Sequence, residues 1–215
     1  MISILMPIYN GIEFINESVG SIINQTFTKW ELIIGINGHP ANSFVYQLAQ
    51  NYESIFSIRV LDLPNIKGKA NALNAMLPYC QYEHVAILDV DDIWEPTKLE
   101  LQTPFLKDYD VVGSQCVYFG DRNNISPNIP LGDISQLDFT KGNPVINSSS
   151  IIRKELCYWN ENGIEDYDLW LRLRKQNKLF YNVSNILVKH RIHKSSAFNS
   201  NGHTNQLANL LKLYK

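Results

Sequence analysis

Apolar runs typical of β-strands alternate along the first half of the chain with segments of helical periodicity. The strand-like runs are residues 2–9, 30–36, 57–63 and 84–90. The helical segments between and after them are residues 12–25, 43–52, 68–79 and 96–107. Strands that alternate with helices in this way favour parallel pairing. The pattern therefore predicts an α/β fold with a Rossmann-like, mostly parallel sheet and helices on both faces.

The second half is less regular. Its predicted elements are strands at 110–119 and 185–193, a strand followed by a turn within 145–156, and helices at 165–176 and 206–214. Residues 120–144 are rich in Asn, Pro, Gly and Asp and are predicted to form a long loop. Because segments of this composition bury little apolar area, we expect residues 120–147 and 197–204 to be mobile and to order over a ligand.

Composition restricts the class of protein. The 215 residues, of which 45% are hydrophobic, suffice for one sizeable α/β core, and the net charge of -2 gives no general attraction to nucleic acid. No apolar run is long enough for a transmembrane segment, and the N-terminus resembles a first strand more than a signal peptide. We therefore expect a protein of the cytoplasm or of the cytoplasmic face of a membrane. Cys80, Cys116 and Cys157 match no metal-binding spacing and are predicted to be reduced core thiols.

Three carboxylates follow the fourth predicted strand in "ILDVDDIW", at Asp89, Asp91 and Asp92. Ligands of open α/β sheets bind at the carboxyl ends of the strands. Side chains alternate along a strand, so Asp89 and Asp91 are expected on the same side, where they could hold Mn²⁺ or Mg²⁺ together with a diphosphate. The alternative is that Asp92 caps the next helix and that the other two carboxylates are simply solvated.

Six segments resemble, in order, the motifs of family 2 glycosyltransferases with the A-type fold, whose acidic motif is DxD. They are "MPIYNG", "NQTFTKWELIIGING", "NIKGKANALN", "AILDVDDIWEPTKLE", "EDYDLWLRL" and "HRIHKSS", within residues 3–196. The resemblance implies one catalytic domain over residues 1–215, with a nucleotide-sugar-binding half at 1–107 and an acceptor-side half at 108–215. This domain could also be part of a longer protein.

The resemblance also implies which residues bind the donor. These are Pro7, Tyr9, Asn10, Asn37, Asn65, Lys69, Asn74, Asp89, Val90 and Arg191. Tyr9 would lie beside the nucleotide base, Lys69 beside the phosphates, and Arg191 beside the diphosphate. The family usually has two acids after the second strand, where this chain has Ile36 and Asn37. An Asn can donate or accept a hydrogen bond, so a UDP-sugar is the expected donor but base selectivity is less secure.

The remaining roles implied by the resemblance concern the metal and the reaction. Asp91, Asp89 and His193 are the expected site for Mn²⁺ or Mg²⁺, and Asp166 is the expected base that deprotonates a hydroxyl of a glycan, lipid or protein acceptor. One base opposite a stabilised leaving group implies inversion of configuration. Asp168 is expected instead to pair with Arg172 one helical turn away.

Two other functions remain open from the sequence. A nucleotidyltransferase shares the fold class and the metal chemistry, but the loop "PIYNGIEF" lacks the Gly-rich, Arg-containing sequence expected after its first strand. A non-catalytic nucleotide- or carbohydrate-binding module is favoured only by Ile36 and Asn37, and it is disfavoured by the presence of Asp89, Asp91 and Asp166. The acceptor site could be built by residues 120–147 and 197–204 or by another part of a longer protein.

Overall fold

One nine-stranded sheet runs through the computed structural model, which describes residues 1–123, 125–161, 164–194 and 203–214. The strands are β1 (Ile2–Ile8), β2 (Trp30–Asn37), β3 (Ile58–Leu63), β4 (His84–Ile87), β5 (Ile93–Trp94), β6 (Val111–Gly120), β7 (Gly132–Asp133), β8 (Ile151–Arg153) and β9 (Phe180–Ile192). Their order is β3-β2-β1-β4-β8-β6-β9-β5, and β7 pairs with β9. The pairs β1–β2, β2–β3, β1–β4 and β6–β9 are parallel and long, whereas each antiparallel pair joins only two or three residues per strand. The predicted mostly parallel α/β sheet is confirmed.

Helices cover both faces of the sheet, as predicted. They are α1 (Ile15–Ile23), α2 (Phe44–Gln50), α3 (Lys69–Met76), α4 (Lys98–Gln102), α5 (Glu165–Lys175) and α6 (His203–Lys212). Helices α1, α2 and α4 contribute to one hydrophobic cluster, which includes Val19 and Leu99. Helices α3, α5 and α6 contribute to the other, which includes Leu73 and Trp170. The sheet separates the two cores. The carboxyl ends of its parallel strands lie outside both cores, where polar side chains can be accommodated.

Several element boundaries differ from those predicted. Strand β4 ends at Ile87 and not at residue 90, because the chain turns where the amide of Asp92 donates to the carbonyl of Asp89 at 3.0 Å. Strand β9 begins at Phe180, five residues before the prediction. Its polar Asn182 hid this extension from the apolar pattern, yet that side chain is fully buried and donates to the carbonyls of Pro130 and Pro144, both at 2.8 Å.

The premise that residues 120–147 bury little apolar area is wrong. Ile134, Phe139 and Val145 are each 2% exposed or less, and a short 3₁₀ helix spans Phe139–Lys141. Their apolar side chains are widely spaced among polar residues, so no periodicity revealed them. The second segment expected to be mobile lies outside the described residues at 197–202, and the side chains of residues 203 and 204 are also not described.

Two expectations drawn from composition can be compared with the structure. All three cysteines are free and buried, and burial raises the pKa of Cys80 to about 11 and that of Cys116 to about 12. In the part of the chain that the structure describes, none of the helices combines the length and the apolarity needed to cross a bilayer.

Lys98 is fully buried on α4, which the sequence did not suggest. Its Nζ lies 4.0 Å from the centre of the Trp94 ring and has no hydrogen-bond partner among the described residues. Burial lowers the pKa of Lys98 well below its usual range. The aromatic face favours the ammonium by about 2 kcal/mol, which is less than the usual cost of burying an unpaired charge.

We expect Lys98→Met to raise the free energy of unfolding by about 1–3 kcal/mol, the usual cost of an unpaired buried polar group. Because the folded state releases the Lys98 proton at a lower pH than the unfolded state, wild-type stability should rise with pH through the alkaline range, up to the unfolded pKa near 10.4. The variant should lose this slope. Urea unfolding at several pH values measures both effects.

Lys107→Met is the matched control, since the Lys107 side chain is 79% exposed and pairs only with Asp108 at the surface. That change should leave stability nearly unaltered. A clear loss of stability in Lys98→Met would show that the contact with Trp94 outweighs burial.

Candidate active site

The carboxyl ends of β1, β2 and β4 meet the first turns of α3 and α5 and the end of β9. Residues 88–92, named here the acidic turn, lie at the centre of this arrangement. They follow β4 in a turn and not in a strand, so strand alternation does not explain how Asp89 and Asp91 are placed. Instead, each of the three acids of the turn has a different cationic or imidazole partner.

Asp89 is paired with Lys69, at the start of α3. The Lys69 Nζ lies 2.6 Å from the Asp89 Oδ1, and the Asn147 Nδ2 donates to both Asp89 oxygens at 3.2 and 3.4 Å. Burial opposes the charge of Asp89, but Lys69 outweighs it and lowers the pKa of the carboxyl. The Lys69 Nζ is also 3.7 Å from the Glu165 Oε1, so this ammonium links the acidic turn to the first turn of α5.

Asp91 is paired with His193, and both side chains remain 22% exposed. Burial and the negative charges of Asp92 and Asp89 raise the pKa of Asp91, so an added cation would be favourable there. The Asp91 Oδ2 and the His193 Nε2 are 2.9 Å apart, close to the roughly 3.0 Å between adjacent ligands of an octahedral ion with bonds of about 2.1 Å. The described residues contain no group of three His, Cys, Asp or Glu side chains placed for a metal, so this pair could supply two ligands only.

Arg191 contacts the acidic turn from β9. Its Nε donates to the Asp91 carbonyl at 2.8 Å, and its guanidinium carbon lies 4.3 Å from the ring centres of both Phe14 and Phe119. An Nη2 to Glu17 Oε2 distance of 3.0 Å adds an ion pair. These contacts indicate that Arg191 shapes the acidic turn, and its expected contact with a diphosphate stays a prediction.

Asp92 is the buried acid of the turn, with a side chain that is only 1% exposed. Its Oδ1 accepts from the Arg191 backbone amide at 2.8 Å, and its Oδ2 lies 3.0 Å from the His190 Nδ1. Burial opposes a charged imidazole, but Asp92 outweighs it and raises the pKa of His190 to about 9. The alternative that Asp92 caps the next helix is wrong, because α4 begins only at Lys98.

Asp166 lies in the first turn of α5, on the other side of Lys69. Burial and the neighbouring Glu165 raise its pKa, and the charge of Lys69 opposes them. The Asn143 Nδ2 donates to the Asp166 Oδ2 at 3.2 Å. A carboxylate with a raised pKa is a better proton acceptor near neutral pH than an ordinary one. Asn143 and Asn147, which contact the acids from the segment before β8, had no signal in the sequence.

Asp168 has the structural role that was expected, but with other partners. It is 2% exposed, and it accepts from the Asn160 Nδ2 at 2.6 Å and from the Tyr214 hydroxyl at 3.3 Å. Arg172 instead donates to the Tyr158 carbonyl. The expected pair between Asp168 and Arg172 is therefore wrong, because both side chains are bound to segments outside the helix.

An exposed aromatic ring lies at the end of β1, where the nucleotide base is expected. Tyr9 is 57% exposed, and its ring centre is 5.2 Å from that of His39. The His39 Nε2 is 2.5 Å from the Tyr9 carbonyl, and Gly38 lies against the Tyr9 ring with a φ of 73°. Asn37 is only 2% exposed, so its amide offers little surface to a base.

The other residues expected to bind the donor divide into two groups. Asn10 and Asn65 are exposed beside the site, whereas Pro7 is buried within β1.

Asn74 is occupied by the backbone of Trp159, to which it donates at 2.7 Å and from which it accepts at 3.0 Å. The side chain of Val90 is buried against Gly11, whose φ of 89° turns the chain after β1. Asn74 and the side chain of Val90 thus have partners within the protein, and their expected contacts with the donor stay predictions.

Comparison with known proteins gives consistent matches. The model of the family described as Glycosyl transferase family 2 matches residues 3–197. Among curated relatives, the O-antigen biosynthesis glycosyltransferase WbnJ of Escherichia coli is 28% identical, over 91% of this chain and 81% of WbnJ. The UDP-Glc:alpha-D-GlcNAc-diphosphoundecaprenol beta-1,3-glucosyltransferase WfgD of Escherichia coli is also 28% identical, over 91% of this chain and 79% of WfgD.

Solved structures show the same fold at lower identity. TarS of S. aureus in complex with UDP-GlcNAc has a TM-score of 0.78 and 16% identity, and the match covers 99% of this chain but 65% of TarS. The mannosyltransferase PcManGT of Pyrobaculum calidifontis, in complex with GDP-Man and Mn²⁺, has a TM-score of 0.71 and 16% identity over 91% of this chain and 58% of PcManGT.

Proposed function

Because the chain belongs to glycosyl transferase family 2 and is therefore an enzyme of glycosyl transfer, we propose that it moves a sugar from a nucleoside-diphosphate sugar to an acceptor hydroxyl, with inversion and with a divalent cation. The observation that carries this proposal is that a pair of side chains suited to binding a cation and a carboxylate suited to accepting a proton lie at the same edge of the sheet. Asp91 and His193 form a pair suited to a cation, and Asp166 is a carboxylate suited to a proton. Lys69 lies between them, beside both Asp89 and Glu165.

Family membership also decides between the functions that the sequence left open. A nucleotidyltransferase and a non-catalytic module are both disfavoured by a family match that spans residues 3–197 and by relatives named as glycosyltransferases.

We assign the donor side to the first half of the chain. The exposed ring of Tyr9 offers a surface on which a base can stack, and the Lys69 ammonium can exchange an Asp89 oxygen for a phosphate oxygen. The donor that we propose is a UDP-sugar, supported by the name of WfgD and by the TarS complex with UDP-GlcNAc. The PcManGT complex contains GDP-Man, so the fold alone does not select the base.

The cation site that we propose uses Asp91 and His193. Their geometry fits Mn²⁺ or Mg²⁺, whereas Asp89 is engaged by Lys69 and Asn147 and would remain outside the ligand set. A bound divalent cation would neutralise the diphosphate and so favour its departure as the leaving group. Arg191 holds the Asp91 carbonyl, which fixes the position of that carboxylate.

Asp166 acts as the base in this proposal. Its carboxylate accepts the proton of the acceptor hydroxyl as the oxygen attacks the anomeric carbon, and the bond to the diphosphate breaks on the opposite face. Asn143 donates to one Asp166 oxygen, and the backbone of Tyr167 also hydrogen-bonds to this carboxylate. The positive charge of Lys69 opposes the rise in the pKa of Asp166 and so favours the ionised carboxylate that a base requires.

The test is a binding screen of UDP-, GDP-, dTDP- and CDP-sugars by thermal shift and calorimetry, with Mn²⁺ and with EDTA. We expect a UDP-sugar with Mn²⁺ to stabilise the protein most, by about 2.7 kcal/mol at a hundred times its Kd. Stronger binding of another nucleotide sugar would overturn only the choice of base. Failure of every nucleotide sugar to bind with Mn²⁺ present would overturn the proposed function.

A further inference from the structure

We propose that Asp92 is a positioning residue that fastens the end of β9 to the acidic turn, so that Asp91 and His193 are held together before a cation arrives. His190 is its partner in this role. The inference rests on the proposed function for its cation, but Asp92 and His190 lie outside the proposed ligand pair of Asp91 and His193. Residues 190–192 and Asp92 are named here the clamp.

Both oxygens of Asp92 are used by consecutive residues of β9. The Oδ1 accepts from the Arg191 amide at 2.8 Å, and the Oδ2 is 3.0 Å from the His190 Nδ1. The turn does not need this carboxylate for its own closure, because the Asp92 amide already donates to the Asp89 carbonyl. A carboxylate that is 1% exposed is costly to bury unless its partners are fixed, so its position indicates a specific attachment to β9.

The clamp lies beside one of the short strand pairs of the sheet. Strand β5, which follows the turn, pairs with β9 only through Ile93 with Lys189 and Trp94 with Val188. On its other side β9 pairs with β6 as far as Ile192, and His193 follows that last pair. Without the clamp, the loop from residue 88 to residue 92 would be joined to the end of β9 mainly through side chains at the surface of the site.

The clamp acts directly on the two groups of the proposed cation site. Fixing the Arg191 amide places the Arg191 Nε 2.8 Å from the Asp91 carbonyl. Two residues further along, the His193 Nε2 lies 2.9 Å from the Asp91 Oδ2. Groups that orient metal ligands in this way are typically worth 10–100-fold in metal affinity.

The test compares His190→Leu with His190→Asn. The Asn side chain retains a donor close to the position of Nδ1, whereas Leu removes it at similar size. Mn²⁺ binding in the presence of UDP, measured by calorimetry and by electron paramagnetic resonance, should weaken about 10–100-fold in His190→Leu and much less in His190→Asn. Asp92→Asn, which keeps an acceptor for the Arg191 amide but loses the charge, should weaken Mn²⁺ binding about 10-fold. Amide hydrogen exchange of residues 190–193 in metal-free protein should be faster in His190→Leu than in His190→Asn.

His84→Leu is the matched control. His84 is a half-buried histidine at the opposite end of the sheet, where it is registered with Ile2, so Mn²⁺ binding should be unchanged. If His190→Leu lowers thermal stability but leaves both Mn²⁺ affinity and exchange at residues 190–193 unchanged, the clamp is only structural and the inference fails. The wild-type titration tests the cation site by itself: absence of Mn²⁺ binding there would overturn the proposed metal dependence together with the clamp.

Discussion

Asp166→Asn is expected to lower the rate of sugar transfer by about 10²–10⁴-fold, the usual contribution of a positioned general base. The substitution keeps the size and the hydrogen-bonding shape of the side chain but removes the proton acceptor. Donor binding should stay near the wild-type value, since Asp166 faces the acceptor in the proposed arrangement. Initial rates and donor affinity, measured separately, check both parts.

The dependence of the transfer rate on pH, below neutral pH, is a second test of Asp166 as the base. Burial and Glu165 raise the pKa of Asp166, so wild-type transfer should fall as the pH drops through that pKa and the base becomes protonated. In Asp166→Asn this dependence should disappear from the residual activity. Product from the wild-type enzyme should have the inverted anomeric configuration.

Glu165→Gln is the matched control, because it removes a negative charge from the same helical turn. The Glu165 Oε1 lies 3.7 Å from the Lys69 Nζ, and Glu165 is not the proposed base, so we expect a smaller loss of transfer rate. Transfer at the wild-type rate in Asp166→Asn would show that Asp166 is only a favourable acid at a helix start. Loss of donor binding would show that it lies on the donor side.

Asp91→Ala is expected to abolish the part of UDP affinity that depends on a divalent cation. Wild-type protein should bind UDP weakly in EDTA and about 10²-fold more tightly with Mn²⁺, which corresponds to nearly 3 kcal/mol. The reason is that Asp91 has a raised pKa among like charges and lies 2.9 Å from His193, so a cation relieves repulsion there. Calorimetric titration of both proteins under both conditions measures the effect.

Asp110→Asn controls for the loss of a carboxylate at a distance. Asp110 pairs with Arg153 at 3.1 Å, beyond the amino-terminal end of β6 and away from the acidic turn. Its substitution should leave the Mn²⁺ dependence intact. Equal UDP affinity of the wild-type protein with Mn²⁺ and with EDTA would contradict a cation held by Asp91 and His193.

The sequence by itself determined the α/β class, the helices on both faces and the alternation of the first strands with helices along the chain. Strands rich in β-branched residues and helices with one apolar face are each encoded by residues close together in the sequence. Their hydrophobic periodicity therefore reveals them. The family resemblance located the carboxylates and His193 because each of them lies within a short motif of neighbouring residues. Asp91 and His193, 102 positions apart, are indeed paired in the structure.

Only the tertiary structure decided which polar groups are partners. Asp92 meets His190 and Asp89 meets Asn147 because the sheet places β5 beside β9 and β4 beside β8. That order depends on long-range packing, and a single sequence carries no periodic signal for it. The same holds for Lys98, which appears in the sequence as an ordinary helix-start lysine. It lies in the core because α4 packs that side of the helix against the Trp94 ring.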